Sequence, residues 1–317
     1  MGLLTSREVI LAKTEVTYNT DPTPTAGSNA ILVRNPQMSA QGLRMADRAA
    51  VRSSIGKLQG IYGGELRRLT FQCEVKGSGS AGTAPEIGPL LRSCAMAETV
   101  VASTSVTYKP NSGTSTAHES ITLYYYEGGR KKHILTGCRG NVTASVEAGG
   151  ILLLDFEFIG HYTQAVDATQ PSPTYSSQVP KAALGLTCTI NGVSGLAPRS
   201  WSFGLNNSIA TPGDLTASDG YGEIIVTGRD VKGQVVIQSQ LDSTIDIDAL
   251  LAAGTKFALA LGAIGGTAGN IITVSTPSSS TYITDSKHGE GEGLRLRTVE
   301  MAVDDSTSDQ EISLAFT

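Results

Sequence analysis

Residues 69–96 read LTFQCEVKGSGSAGTAPEIGPLLRSCAM. Leu69, Phe71, Cys73 and Val75 alternate with Thr70, Gln72, Glu74 and Lys76, the two-residue period of an antiparallel strand with one buried face. A Gly/Ser loop follows. Pro85 then precedes a short apolar run, IGPLLRSCAM, whose spacing predicts one helix of two or three turns. A similar order returns later: Val235–Leu241 (VVIQSQL) alternates, and IDIDALLAAG follows it. Asp246 or Asp248 can serve the first turn of that second helix, and Gly254 its stop. Ile87, Leu90 and Leu91 fall on Ile247, Leu250 and Leu251 at a constant separation.

The rest of the chain favours a β protein. Only 17% of the 317 residues are charged, 40% are hydrophobic, and 36 are glycine, a composition suited to short strands joined by turns. Apolar runs stay well short of the ~18 residues of a membrane-spanning helix. The N-terminus, MGLLTSREVILAK, has neither the apolar core nor the cleavage site of a secretory signal. Gly2 and Ser6 match the myristoylation pattern M-G-x-x-x-[ST], which is too loose to argue for lipidation. Cys73, Cys94, Cys138 and Cys188 lack CxxC spacing and lie in apolar surroundings, so buried free thiols in a reducing compartment are expected. The sequons at Asn141 and Asn206 are then accidental. A net charge of −5 argues against tight wrapping by nucleic acid.

In chain order, strand-like REVILAKTEVTY passes into a Pro/Thr/Gly surface loop, and Ala30–Val33 forms a short strand. Residues 42–64, GLRMADRAAVRSSIGKLQGIYGG, set Arg44, Arg48, Arg52 and Lys57 against Asp47 with few large apolar groups. They read as a long basic excursion, a hairpin or solvated loop, of the kind that in compact domains is usually functional. Strands follow at Ser105–Tyr108, Ile121–Tyr126 and His133–Thr136, then an antiparallel pair, Arg139–Glu147 with Ile151–Ile159. Residues 163–181 are rich in Pro, Ser, Thr and Gln and lack an apolar face, marking a boundary. Beyond them come strands at Gly185–Ile190, Arg199–Leu205, Phe257–Leu261, Ile271–Ser275, Leu294–Val303 and Ile312–Phe316. Each half closes on an antiparallel pair, ending LDFEFIG or EISLAFT. The expected fold is mainly β: two copies of a β-sandwich or barrel domain, residues 1–165 and 182–317, each with one short helix, joined by a linker at 166–181.

Signals of chemistry fail in context. Gly77-Ser-Gly79-Ser-Ala-Gly82 spells G-x-G-x-x-G, but a dinucleotide-binding strand is apolar on both faces, and its helix starts within the glycines. His118, His133, His161 and His288 are far apart, and His133 beside Lys131 and Lys132 reads as an exposed strand end. Asp304-Asp305 and Glu290/Glu292 read as acidic turns rather than a cation site. Trp201 and Phe203 read as core. No nucleophile elbow is present, so no catalytic, cofactor or metal residue is nominated.

The runs ILAKTEVTYNTDPTPTAGSNAILVRNP, RRLTFQCEVKGSGSAGTAPEIGPLLRSCAMAET and GCRGNVTASVEAGGILLLDFEFIGHY resemble major tail tube proteins of long-tailed, non-contractile bacteriophages (siphophages). The resemblance spans about residues 7–180 and thins beyond, where the internal repeat carries the reading. It implies a β-sandwich or barrel flanked by a helix, assembled into stacked rings whose inner sheets join around a channel for DNA. It also implies a virion tail component, assembled in the host bacterial cytoplasm. Its partners would be itself, the tape measure, terminator and distal tail proteins, and genomic DNA in non-specific transit, with no membrane. Such rings are generally six-fold in single domains. Two domains per chain would make a trimeric, pseudo-six-fold ring, and a homohexamer is the alternative. Residues 42–64 would then match the loop that touches the adjacent ring, with Arg44, Asp47, Arg48, Arg52 and Lys57 as its contact residues. Rival readings are a single tube domain with an external immunoglobulin-like domain over 181–317, a secreted adhesin or carbohydrate-binding sandwich, and a β-rich hydrolase.

Overall fold

Alternation at 66–74 becomes burial: Leu66, Leu69, Phe71 and Cys73 are buried, whereas Thr70, Gln72 and Glu74 keep part of their surface in solvent. The computed structural model describes residues 7–113, 117–276, 279–306 and 308–317, so Gly2 and Ser6 lie outside the described residues. The first half of the chain runs β1 (Val9–Thr14), β2 (Ala30–Ile31), β3 (Arg34–Gln41), β4 (Met45–Ala46), β5 (Ile61–Tyr62), β6 (Leu66–Glu74), α1 (Gly88–Ser93), β7 (Met96–Val101), β8 (Ser105–Pro110), β9 (Ile121–Glu127), β10 (Lys131–Glu147) and β11 (Leu153–Asp167). The second half begins with β12 (Cys188–Ile190), β13 (Pro198–Gly204), β14 (Ser208–Ala210), β15 (Ile225–Gly228), β16 (Lys232–Gln238) and α2 (Ile247–Ala253). It ends with β17 (Leu259–Ile264), β18 (Ile272–Ser275), β19 (Thr281–Gly291), β20 (Leu294–Val303) and β21 (Ser313–Phe316).

Both helices form where the sequence places them. At α2 the Asp246 carboxylate accepts from the Ala249 amide at 2.8 Å, and Gly254 (φ 59°) closes the helix in the left-handed region. α1 is shorter than expected, six residues, because Ala95 turns left-handed (φ 58°) and Met96 already belongs to β7. Each helix is tied to the strands by a buried cation. Lys76 meets Glu86 just ahead of α1 at 3.1 Å, and Arg297 on β20 reaches Asp248 in the first turn of α2. Neither cation is more than 6% exposed, so loss of its carboxylate would strand a buried charge.

The large sheet repeats itself. Its main path runs β19-β20-β16-β13-β10-β11-β6-β3, antiparallel at every step. Within it β19-β20-β16-β13 and β10-β11-β6-β3 are the same arrangement: a hairpin, then the strand that leads to a helix, then an earlier strand. A second sheet runs β12-β17-β18-β21-β8-β7, again mixing strands from the two halves. One buried cluster fills the space between, drawing Phe71, Phe156 and Phe158 from the first half and Trp201, Phe203, Phe257 and Phe316 from the second. Trp201 and Phe203 stack at 5.2 Å inside it, as read from sequence. All four cysteines are free and buried. Burial alone pushes the Cys188 thiol up to about 11.

Two readings need correction. The segment EISLAFT does not close the second half as LDFEFIG closes the first. β21 lies in the second sheet between β18 and β8, and β20 holds the place equivalent to β11. The cause is β19 (TYITDSKHGEG), whose exposed run beyond Ile283 carries no core-facing alternation to announce a strand. His133 is not exposed: it is 3% accessible, between Tyr125 and Tyr162 at 5.7 and 6.1 Å. Residues 168–181, most of the expected linker at 166–181, are hydrogen-bonded to both halves. Thr174 donates to Ala26 O at 2.9 Å, and the Val179 carbonyl accepts from Asn270 at 3.1 Å.

The glycine loop is a backbone joint between the halves. The Gly77 amide donates to Asn270 Oδ1 at 2.7 Å and the Gly79 amide to Gly269 O at 3.0 Å. A Cβ on Gly77 would stand 2.0 Å from Gly269 O, so glycine is required by the approach of two main chains. Gly77→Ala is therefore expected to destabilise the protein by about 1–3 kcal/mol, read as a lower urea midpoint, while Ala81→Gly in the same loop changes it little.

Burial lowers the His133 pKa from its ordinary value, outweighing the Glu127 carboxylate at 3.0 Å. The unfolded chain then binds a proton below pH ~6.5 that the folded protein resists, so stability is lost as pH falls through that value. Urea midpoints at pH 8 and 5.5 should drop further in wild type than in His133→Gln.

Candidate functional site

The outer face of the large sheet is polar along its length. Residues opposite one another across the ladders share a face. Across the first half Gln37, Thr70, Glu157 and Asn141 form one row, and Arg34, Gln72, Asp155 and Thr143 the next. The pattern crosses the midline through Ser145, Ser202, Gln234 and Glu300. Cations on this face are held by carboxylates: Arg34 lies 3.9 Å from Glu74, Arg68 3.2 Å from Glu157, and Lys287 3.4 Å from Asp285 with Glu300 alongside. Lys232 pairs with Asp230. Asp155 accepts from the Gln72 amide at 2.6 Å and has no cation partner among these pairs. Among the described residues, then, these cations of the face each lie beside a carboxylate, which leaves them less free to grip a phosphate.

Among the described residues both ends of the strand path are unpaired on their outer side: β3 pairs β6, and β19 pairs β20 with one further bridge from Thr281 to Phe257. Unpaired ladders of this length are templates for further strands.

The third feature is the arm. β4 and β5 pair through Met45↔Tyr62 and Ala46↔Ile61, making residues 42–64 a hairpin, and its tip is solvent-exposed, with Val51 and Ile55 fully so. The five charged residues singled out from sequence divide in two. Asp47, Arg48, Arg52 and Lys57 lie along the exposed tip. Arg44 is at the root, turned inward: its Nη1 donates to Gly220 O at 2.5 Å, and its guanidinium lies 3.7 Å above the Tyr221 ring. Charge and length mark the arm in the sequence, but they carry no sign that residues 213–221, far along the chain, receive its root.

Beneath that root is a polar cluster that sequence reading missed. Arg139, 2% exposed, donates to Glu223 Oε1 at 2.8 Å, to Ile224 O, and to His118 O at 2.8 Å. The Tyr18 hydroxyl accepts from the Ile224 amide at 2.7 Å and lies 3.0 Å from His161 Nε2, while His161 Nδ1 is 2.6 Å from Asp219. Burial pushes the Tyr18 pKa well above its ordinary value, keeping the phenol neutral. An acid, an imidazole and a phenol resemble catalytic parts, but of the three only His161 is buried, and here they tie residues 219–224 to β11 and to the loop at Tyr18. Among the described residues no cluster of His, Cys, Asp or Glu could hold a metal ion. The acidic turns are paired, with Asp304 on Lys256, Glu290 3.5 Å from Arg295, and Glu292 2.8 Å from Arg199. No helix is long and apolar enough to cross a membrane.

No curated protein matches the chain. The family model described as phage tail tube protein matches residues 5–317, nearly the whole chain. The family is one of structural proteins rather than enzymes, and its members associate with themselves and with other tail components. This chain belongs to the phage tail tube protein family and is a structural component of a bacteriophage tail.

Proposed function

We propose that copies of this chain join edge to edge, β3 of one beside β19 of the next, in trimeric rings. These rings stack into the tube of a long-tailed, non-contractile phage, around a channel for DNA. The observation that carries this is the junction inside the chain. β13, the last strand of one four-strand unit, pairs antiparallel with β10, the first strand of the other. Strand directions alternate along the whole path, so β3 of one copy and β19 of the next would meet antiparallel too. The chain carries within itself one instance of the contact that would close the ring. This supports a duplicated tube domain and weighs against an appended immunoglobulin-like domain, since strands after residue 181 belong to both shared sheets.

Size favours three copies. Three copies of eight strands would close a twenty-four-stranded barrel, and at ~4.8 Å per strand with ~40° tilt the backbone diameter is roughly 45–50 Å. That leaves room for one DNA duplex inside the inward side chains. Six whole chains would give roughly twice that diameter, too wide to guide one duplex. The polar face would line the bore, its cations held by carboxylates so that phosphate contacts do not act as friction. The arm tip, with Arg48, Arg52, Lys57 and Asp47, would reach acidic groups of the adjacent ring, and Arg44 would anchor its root. Assembly in the host cytoplasm, with tape measure, terminator and distal tail proteins as partners, follows from the same reading.

End-on electron-microscopic averages of the purified protein should give hollow three-fold rings with six similar lobes. True six-fold rings with outward knobs would replace the duplication by a decorated single domain, and monomers at every salt and concentration would reject the tube reading. Reversing the arm's charge with Arg48→Glu and Arg52→Glu together is expected to abolish stacking while leaving the melting temperature within a few degrees, because both side chains are exposed. A double variant that polymerises like wild type would remove the arm's charge from the contact.

A further inference from the structure

The repeating strand order makes two excursions equivalent. Residues 42–65 connect β3 to β6, and residues 205–231 connect β13 to β16, strands that hold matching places in the two units. The two have opposite fates. The first projects as the arm. The second folds back: β14 pairs with β15, Tyr221 and Ile224 are 4% and 0% exposed, and loop 213–221 closes on itself through the Asp214 amide to Gly220 O at 3.1 Å.

The folded-back excursion ends on the root of the first. It lies against the middle of β10 and β11, at the register shift between Thr136 and Arg139, held by Arg139 through Glu223 and Ile224 and by His161 through Asp219. Its tip then receives the arm. The Tyr221 hydroxyl donates to Gly42 O, and Arg44 lies over the Tyr221 ring with its Nη1 on Gly220 O. On the arm's other strand the main chains touch, since a Cβ on Gly64 (φ 105°) would stand 1.9 Å from Asp219 O. Both strands of the hairpin are therefore gripped at the base, and residues 45–57 beyond it are exposed.

We propose that residues 211–224 are a clasp that fixes the direction of the arm, so that one of two equivalent excursions has become the holder of the other. Tyr221 is the positioning residue. Rigid aim matters because an arm ordered before contact loses less entropy on docking than a swinging one. Resting on the ring reading, the clasp further implies three arms per ring, one per chain rather than one per unit.

The test uses the unassembled full-length subunit carrying a fluorophore at Ala50→Cys on the arm. The four native thiols are buried and do not compete for the label. Tyr221→Phe removes the hydroxyl contact but keeps the ring, and Arg44→Ala removes the cation from the other side. Each is expected to lower the arm label's anisotropy, with the melting temperature down by no more than a few degrees, and to reduce the assembly-competent fraction about tenfold, as loss of one part-buried hydrogen bond would. Unchanged anisotropy in both variants overturns the clasp even if tubes form normally. Lowered anisotropy in a protein that never forms rings keeps the clasp and rejects the tube reading instead. Image reconstructions of wild-type rings should contain three projecting arms, and six would overturn the divergence of the two excursions.

Discussion

The ladder between β10 and β13 is the contact on which the rest depends. It pairs Thr143 through Glu147 with Gly204 through Ser200 and joins two four-strand units into one sheet. Backbone hydrogen bonds of this kind are largely indifferent to side-chain identity. What selects this pairing is the match of faces on either side of it: Ala144 and Val146 meet Phe203 and Trp201 toward the core, while Ser145 meets Ser202 toward water. A slip of one residue would turn Trp201 outward and bury serine. With the ladder in register, the polar face runs from β3 to β19 and one main buried cluster draws on both halves.

The same ladder leaves the outer edges exposed. Proteins that remain monomeric usually blunt such edges with proline, bulges or short strands. β3 does carry Pro36, with a register shift between Arg34 and Gln37, yet it continues to Gln41 with its outer side unpaired. β19 is the longer edge, eleven residues, and its outward positions are polar. An edge that is polar, long and unpaired is poorly suited to burial within one chain and well suited to meeting another copy.

Polar groups are used in two distinct ways. On the sheet face they are spread and half-exposed, with Arg34, Arg68, Lys232 and Lys287 beside carboxylates and Gln72 on Asp155. Under the arm they are gathered and buried, Arg139 and His161 joining loops that share few apolar contacts. Leu66, Ile159, Tyr221 and Ile224 form only a small satellite cluster there. Hydrogen bonds rather than apolar area hold that region, and they fix direction more sharply than apolar packing does. The glycine loop illustrates how one motif can carry opposite meanings: its amides are turned to Asn270 and Gly269 instead of a phosphate.

Local pattern legible in the sequence included the alternating strand at 69–75, both helices, the caps at Asp246 and Gly254, the mainly β class and the basic arm. Each is set by neighbours within a turn or two, where periodicity and capping chemistry act. β19 was not legible because, beyond Ile283, exposure removes the alternation a strand normally displays. The burial of His133 was equally hidden, since Tyr162 comes from a strand whose register is fixed only by folding. Arg44 could be counted as a cation of the arm, but its turn toward Tyr221 depends on a contact 176 residues away. Sequence by itself therefore determined the core-facing strands and the two helices. Tertiary structure alone decided the order in which they pair, which face is wet, which edges stay open and which excursion holds the other, because those depend on partners that chain proximity does not supply.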